Sequence, residues 1–198
     1  RVAILVSKTS HCLYDLISRQ LEGELDCEIP LIISNHPDME RVANQFRIPY
    51  YYFPVGDDKA RQEGKIRELL KRFDIDLVVL ARYMQILSPE FTDEWKGRII
   101  NIHHAFLPAF QGANPYLRAY NRGVKMIGAT AHYASEDLDQ GPIIEQDVVR
   151  VNHELTPSGL KEVGKDCERR VLASAVKAHL EHRIIVYKNR TIVFAVER

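Results

Sequence analysis

At 198 residues the chain falls in the size range of one domain and is long enough to bury a sizeable core. Hydrophobic residues make up 45% and charged residues 27%, ordinary values for a globular protein, and Lys plus Arg equals Asp plus Glu at 27 each. That balance carries no electrostatic footprint for nucleic acid or a membrane surface, and the longest apolar runs are strand-sized, far short of a membrane span.

In chain order, Val2–Val6 reads as a buried strand, which leaves no room for a signal peptide there. The chain opens on Arg1 at the edge of that strand, so a segment upstream of it is expected in the natural protein. His11–Leu21 spaces Leu13, Leu16, Ile17 and Leu21 as a helix does. Ile29–Ile33 is the next strand, Asp38–Phe46 a short helix, and Tyr50–Phe53 a short strand before Pro54. Asp58–Phe73 is an amphipathic helix with Ile66, Leu69, Leu70 and Phe73 on one face. Leu77–Ala81 is continuously apolar, as parallel strands buried on both faces are. This alternation predicts an α/β protein of Rossmann-like form, with a mostly parallel central sheet and helices on both faces.

The second half changes character. Arg98–Ile100 is strand-like, and Met126–Tyr133 and Ile143–Val151 read as longer strands. Thr156 is a candidate cap, with Pro157 in the first turn of a helix that runs to about His179. Ile184–Tyr187 and Thr191–Phe194 close the chain as a β-hairpin around Lys188–Arg190. Cys12, Cys27 and Cys167 are odd in number and show no CxxC spacing, so neither a disulfide framework nor a zinc site is expected. A reducing, cytoplasmic setting fits that usage. Cys12 reads as an unreactive buried thiol, the alternative being a somewhat acidic one because it opens a helix.

Two polar clusters follow strand-like runs, where ligands of such sheets bind. One is Asn101-Ile102-His103-His104-Ala105-Phe106-Leu107-Pro108. The other is His132-Tyr133-Ala134-Ser135-Glu136-Asp137-Leu138-Asp139-Gln140-Gly141-Pro142. Together they supply an amide, an imidazole and a carboxylate, the minimal set for acid–base work on a carbonyl. Asn101 and His103 are two apart, so on a strand they share a face.

Asn101-Ile102-His103, Leu107-Pro108 and Leu138-Asp139-Gln140-Gly141-Pro142 resemble the formyltransferase superfamily, whose members handle the formyl group of 10-formyltetrahydrofolate. The resemblance runs from Val2 to about Phe194. Three stretches resemble the formyltetrahydrofolate deformylase branch: Ser7–Leu13, Asn101–His104 and Gly112-Ala113-Asn114-Pro115-Tyr116. The resemblance implies hydrolysis of 10-formyltetrahydrofolate to formate and tetrahydrofolate. It also implies no metal or separate cofactor, a homo-oligomer, and an amino-terminal regulatory domain of the ACT type ahead of a single catalytic domain spanning 1–198.

The resemblance carries three roles onto matching positions. Asn101 donates to the oxyanion of the tetrahedral intermediate, a contribution of about 10²–10³ in rate. His103 exchanges protons with that intermediate and the leaving nitrogen, a contribution of about 10²–10⁴. Asp139 raises the His103 pKa toward working pH and orients water. Met84, Gln85, Ile86 and Leu87 would line the pterin pocket, with Ala134, Ser135 and Glu136 in the opposite wall. Gly112, His104 and His132 complete the substrate site; His132 either faces it or packs in the sheet, and its place at the strand end that leads to Asp139 favours the site. For His104 two readings stay open, a hydrogen-bonded strand-end residue or a wall that shapes the site for water. Glu136 and Asp137 are expected to be solvated loop charges rather than acids.

Three alternatives accompany this reading. Glycinamide ribonucleotide formyltransferases share the Asn-x-His and Leu-Asp…Gly-Pro elements. They carry a glycine-bearing loop after the first strand, suited to phosphate, where this chain has Ser7–Cys12 without glycine. Metal-dependent hydrolysis could use His103, His104, His132 and Asp139. Their spacing matches no HExxH pattern, and two successive strand residues point to opposite faces. A non-catalytic folate-binding module predicts binding without formate release.

Overall fold

A computed structural model describes residues 1–195. Strand β1 (Val2–Val6) is buried at every position, and its two faces pack into two separate cores. Val2, Ile4 and Val6 meet Leu13, Leu16 and Ile17 of α1 (His11–Leu21) and Val171, Leu172 and Ala175 of α6 (Pro157–Leu180). Ala3 and Leu5 meet Ile66 and Leu70 of α3 (Lys59–Arg72) and Phe91 of α4 (Pro89–Glu94). The period-two alternation of one strand thus explains why helices cover both faces.

With β2 (Leu31–Ser34), β3 (Tyr50–Tyr52), β4 (Leu77–Leu80), β5 (Ile99–His103), β6 (Met126–Tyr133) and β7 (Ile143–Arg150), β1 forms a seven-stranded sheet in the order β3-β2-β1-β4-β5-β6-β7. The pairs from β3 to β5 are parallel; β5–β6 and β6–β7 are antiparallel. The sheet is therefore mixed and mostly parallel. The chain winds outward from β1 to β3, then returns to lay β4 on the other side of β1. That reversal opens a crevice beyond the carboxyl ends of β1 and β4.

Helix α6 starts as its sequence reads: Thr156 Oγ1 accepts from the Gly159 N–H and Pro157 occupies the first turn. The remaining helices are α2 (Glu40–Gln45) and α5 (Pro115–Arg122). Neither α4 nor α5 was expected from the apolar pattern. Each is short, and each begins with proline in its first turn, the same start signal as α6. Strand β2 sits two residues later than expected, at Leu31 rather than Ile29: the Glu28 carbonyl accepts from the Val2 N–H at 2.8 Å, but the paired register begins at Leu31.

The chain closes in a hairpin of β8 (Ile184–Tyr187) and β9 (Arg190–Val193), with Lys188 in the left-handed region at the turn. The second strand begins one residue earlier than expected, since Arg190 already pairs with Tyr187. Asn189 donates to the Gln140 carbonyl at 2.8 Å, and Thr191 to that of Ile143 at 2.5 Å, so the hairpin leans on β7 and the loop before it.

One buried charge network ties four segments together. Glu168 of α6 is fully buried and accepts from His11 Nε2 at 2.7 Å, Arg82 Nη1 at 2.8 Å and the Tyr116 hydroxyl. Burial pushes its carboxyl up, but the His11 bond, the Arg82 charge and the Tyr116 bond together outweigh it and hold the group well below the usual carboxylate range. Arg82 lies two residues beyond the end of β4, so the network fixes the base of the segment 82–88. Among the described residues, no helix is long and apolar enough to cross a membrane.

Candidate active site

Asn101 and His103 occupy the end of β5 on one face. In the antiparallel register with β6 they stand opposite His132 and Thr130. Thr130, fully buried, pins the chain that leaves β5. Its hydroxyl donates to the Ala105 carbonyl at 2.8 Å and accepts from the Leu107 N–H at 3.0 Å and from Gln146 at 2.9 Å. The loop then turns back over the strand end. It brings the Phe110 carbonyl to 3.2 Å from His103 Nε2 and the Gly112 N–H to 3.2 Å from Asp139 Oδ2. Gly112 has φ +81°, a conformation that side chains resist and that aims its N–H at the carboxylate.

Asp139 reaches the same point from the loop between β6 and β7. It lies in the left-handed region at φ +57°, which aspartate tolerates better than most residues. Gly141 lets this loop close on β6: a Cβ there would fall 1.8 Å from the Tyr133 carbonyl. Asp139 Oδ2 stands 3.4 Å from His103 Nδ1, and Oδ1 stands 3.8 Å from His132 Nε2. Asn101 Nδ2 lies 3.2 Å from His132 Nε2, and His132 Nδ1 lies 2.9 Å from the Tyr133 carbonyl.

The electrostatics correct one expectation. Burial lowers the His103 pKa and outweighs the Asp139 charge and the Phe110 carbonyl, which raise it. The net direction is down, not up toward working pH. Both ring nitrogens nevertheless face acceptors, and a neutral ring has only one N–H to offer them. The imidazolium would satisfy both. His103 therefore rests neutral at neutral pH, with partners already in place for the proton it takes up. Burial likewise pushes Asp139 up, but the His132 and His103 rings and the Gly112 N–H outweigh it and keep the carboxyl ionised.

Asn101, His103, Gly112, His132 and Asp139 open on one cavity of about 240 Å³. Its lining includes every residue singled out in the sequence: Asn101, His103 and Asp139; Met84, Gln85, Ile86 and Leu87; His104, Gly112 and His132; and Ala134, Ser135 and Glu136. Met84 and Ile86 are exposed and Leu87 is buried, so the 84–87 segment gives the cleft an apolar rim and floor. The segment is held from below, where the Met84 N–H donates to Ser7 Oγ at 2.9 Å and Ser7 donates to Asn35 at 2.6 Å. Glu136 and Asp137 are exposed.

His104 does not continue the strand, so it does not point away from His103. The two rings lie 5.4 Å apart and both line the cavity. Burial first, then the Arg82 charge, pushes the His104 pKa down to about 3, so the ring is a neutral wall rather than an acid. Arg82, Tyr83, Thr92, Ile102, Ala113 and Leu138 also line the cavity and were not singled out. Nor were the Phe110 carbonyl and the Thr130 hydroxyl. Backbone groups leave no trace in residue type, and Thr130 reads as an ordinary strand residue.

Among the described residues, the group of metal-ligand type whose atoms lie within 4.8 Å of one another is His11, Cys12 and Glu168. Its chemistry is that of an ion-pair network. Glu168 already holds Arg82, and burial pushes the Cys12 thiol well up, away from the thiolate a metal needs.

The sheet order, the Asn101–His103 strand end and the Asp139 loop define a polar, cleft-facing site at the strand ends of a Rossmann-like α/β fold. The chain belongs to the formyl transferase family, whose model matches residues 1–176. Its relatives include the formyltetrahydrofolate deformylase of Synechocystis sp., 59% identical over 98% of this chain and 69% of that protein. The crystal structure of a formyltetrahydrofolate deformylase from Pseudomonas syringae pv. tomato superposes with a TM-score of 0.96 at 49% identity, covering 98% of this chain and 66% of that one. Glycinamide ribonucleotide transformylase 1 from Symbiobacterium toebii superposes with a TM-score of 0.93 at 26% identity, over 98% and 94% of the two chains. This chain thus spans about two thirds of the length of these deformylases.

Proposed function

We propose that residues 1–198 form a catalytic unit that hydrolyses 10-formyltetrahydrofolate to formate and tetrahydrofolate. The observation that carries this reading is the meeting of Asn101, His103 and Asp139 at one end of an apolar-rimmed cleft, in a chain 59% identical to a protein named for that activity. Among solved structures the transformylase of the same fold is less similar, at 26% identity against 49% for the Pseudomonas deformylase. Water is therefore the nucleophile, rather than an amine.

The water oxygen bonds to the formyl carbon while His103, neutral at rest, takes up the proton that is released. The carbonyl electrons move onto oxygen, where the Asn101 amide donates. The oxyanion electrons then re-form the carbonyl as the C–N10 bond breaks, the nitrogen receives the proton from His103, and tetrahydrofolate leaves with formic acid, which gives up its remaining proton to water as formate. Asp139 stabilises the imidazolium and holds the water, with Gly112 fixing its orientation. The 84–87 segment covers the pterin with its apolar side chains, and its backbone groups read the ring edge. No cofactor besides the folate substrate enters this scheme. Turnover in ¹⁸O-water tests it: the label is expected in formate, and unlabelled formate would refute attack by water.

Two further expectations arise here. His103 must be unprotonated to act as base, so kcat/KM falls as pH drops through its free-enzyme pKa. Because that pKa is lowered, the midpoint of this acid limb lies below the ordinary imidazole value of 6.5. A pH–rate profile checks it, and a midpoint above 6.5 would contradict it. Gly141→Ala forces the Asp139 loop off the Tyr133 carbonyl. Turnover is expected to drop about 10²-fold, as misplacement of a reacting group does. Stability is expected to drop by about 1–3 kcal/mol through the clash. Kinetics and thermal unfolding of that variant measure the two effects.

A homo-oligomer in the cytoplasm completes the reading. Ile185, Val186, Tyr187, Ile192, Val193 and Phe194 are each more than a third exposed on the closing hairpin, an apolar surface suited to a second copy.

A further inference from the structure

We infer that His132 is a positioning residue that fixes the Asn101 amide with an N–H, rather than its oxygen, available to the substrate. The inference rests on the proposed hydrolytic reading and deepens it. A side-chain amide can turn either way with little change of shape, and only one of the two orientations donates to an oxyanion. Something in the site has to choose.

The choice follows from the hydrogen bonds of His132. Its ring is 2% exposed and stands opposite Asn101 across the β5–β6 ladder. The register of β6 against β7 shifts between Ala131 and His132, an irregularity of the kind that re-aims a side chain. His132 Nδ1 lies 2.9 Å from the carbonyl of Tyr133. A carbonyl can only accept, so Nδ1 carries the proton. In the neutral ring Nε2 is then a bare acceptor, and it lies 3.2 Å from Asn101 Nδ2. The acceptor draws the amide NH₂ toward itself. One N–H is engaged by His132, and the second is left for the cavity that Asn101 and His132 both line. The Tyr133 carbonyl is itself held where Gly141 packs against it. Asp139 Oδ1 stands 3.8 Å from the same Nε2, longer than a hydrogen bond, so in the neutral ring Asn101 at 3.2 Å is the nearer partner; a second proton on Nε2 would turn that nitrogen to the carboxylate instead.

The test combines spectroscopy with kinetics on the whole protein. Nitrogen-15 NMR of the histidine rings, assigned with His132→Gln, is expected to show His132 protonated at Nδ1 and bare at Nε2. Protons on both nitrogens, or on Nε2 alone, would overturn the inference. In kinetics, His132→Asn keeps an amide near the Tyr133 carbonyl but has no acceptor at the Nε2 position. It is expected to lose roughly tenfold to a hundredfold in kcat with KM little changed, in line with the cost of misplaced groups. His132→Gln places an oxygen near the Nε2 position and recovers most of that loss. In an Asn101→Ala background, His132→Asn costs nothing further, because its effect runs through the amide. Multiplicative losses in that background, or a Gln variant no better than Asn, would show a merely structural role. Wild-type formate release is the control. Its absence removes the hydrolytic reading and leaves the NMR result to decide the geometry alone.

Discussion

Asp139→Asn is expected to lower kcat for formate release by about 10²–10⁴-fold, the range for loss of positioned acid–base catalysis. The fold should survive, because an asparagine oxygen can still accept from the Gly112 N–H at 3.2 Å and the left-handed φ of +57° suits asparagine as well as aspartate. What is lost is the charge 3.4 Å from His103 Nδ1. That charge opposes the lowering of the His103 pKa by burial, so its removal lowers the pKa further and weakens His103 as a base. Steady-state kinetics with an NMR titration of His103 checks both parts. A kcat within about threefold of wild type would show that the carboxylate takes no part in the rate-limiting chemistry.

Glu168→Leu is expected to be the most destabilising single replacement outside the site, at about 3–5 kcal/mol. It removes the carboxylate and leaves Arg82, itself only 9% exposed, as an uncompensated buried charge. At about 2–4 °C per kcal/mol for a chain of this size, the melting temperature should fall by roughly 6–20 °C. Tyr116→Phe removes one charge-assisted bond to the same carboxylate and should cost about 1.5–3 kcal/mol. The pH dependence has a fixed sign. The Glu168 pKa is depressed in the folded protein, so its stabilisation is present above the ordinary carboxylate value of 4.5. It is lost as pH falls below that toward the folded value. Thermal unfolding between neutral pH and pH 3 should show a smaller acid loss in Glu168→Leu than in wild type. Because Arg82 roots the 82–88 segment, the replacement should also weaken folate binding by loosening the Ser7–Met84 contact.

Most of the sheet was legible because its strands are buried on both faces and read as unbroken apolar runs. Leu77–Leu80 lies within the run that suggested it, and Val2–Val6 matches its run at both ends. Helix α3 was legible through the spacing of its apolar face, and α6 through its cap, where Thr156 accepts from the Gly159 N–H. The two short helices α4 and α5 were not, since six and eight residues give too little periodicity to separate from loop. In the site, side-chain chemistry was legible and its surroundings were not. Asn101 and His103 fall two apart on a strand, so their shared face follows from the backbone alone. The direction of the His103 shift depends on how deeply the 104–113 loop buries the ring, and no residue type encodes that. The Glu168 network is hidden for a similar reason. Its partners His11 and Arg82 lie 157 and 86 residues away in the chain, and charged residues in sequence read as surface.

The central claim is that water, not an amine, takes the formyl group in this cleft. The most direct measurement incubates the purified protein with 10-formyltetrahydrofolate, with and without glycinamide ribonucleotide, and follows formate and tetrahydrofolate. Hydrolysis predicts equal formate release in both arms, abolished by Asp139→Asn. Tetrahydrofolate formed only when the amine is present, with no free formate, would contradict it and make the chain a transferase.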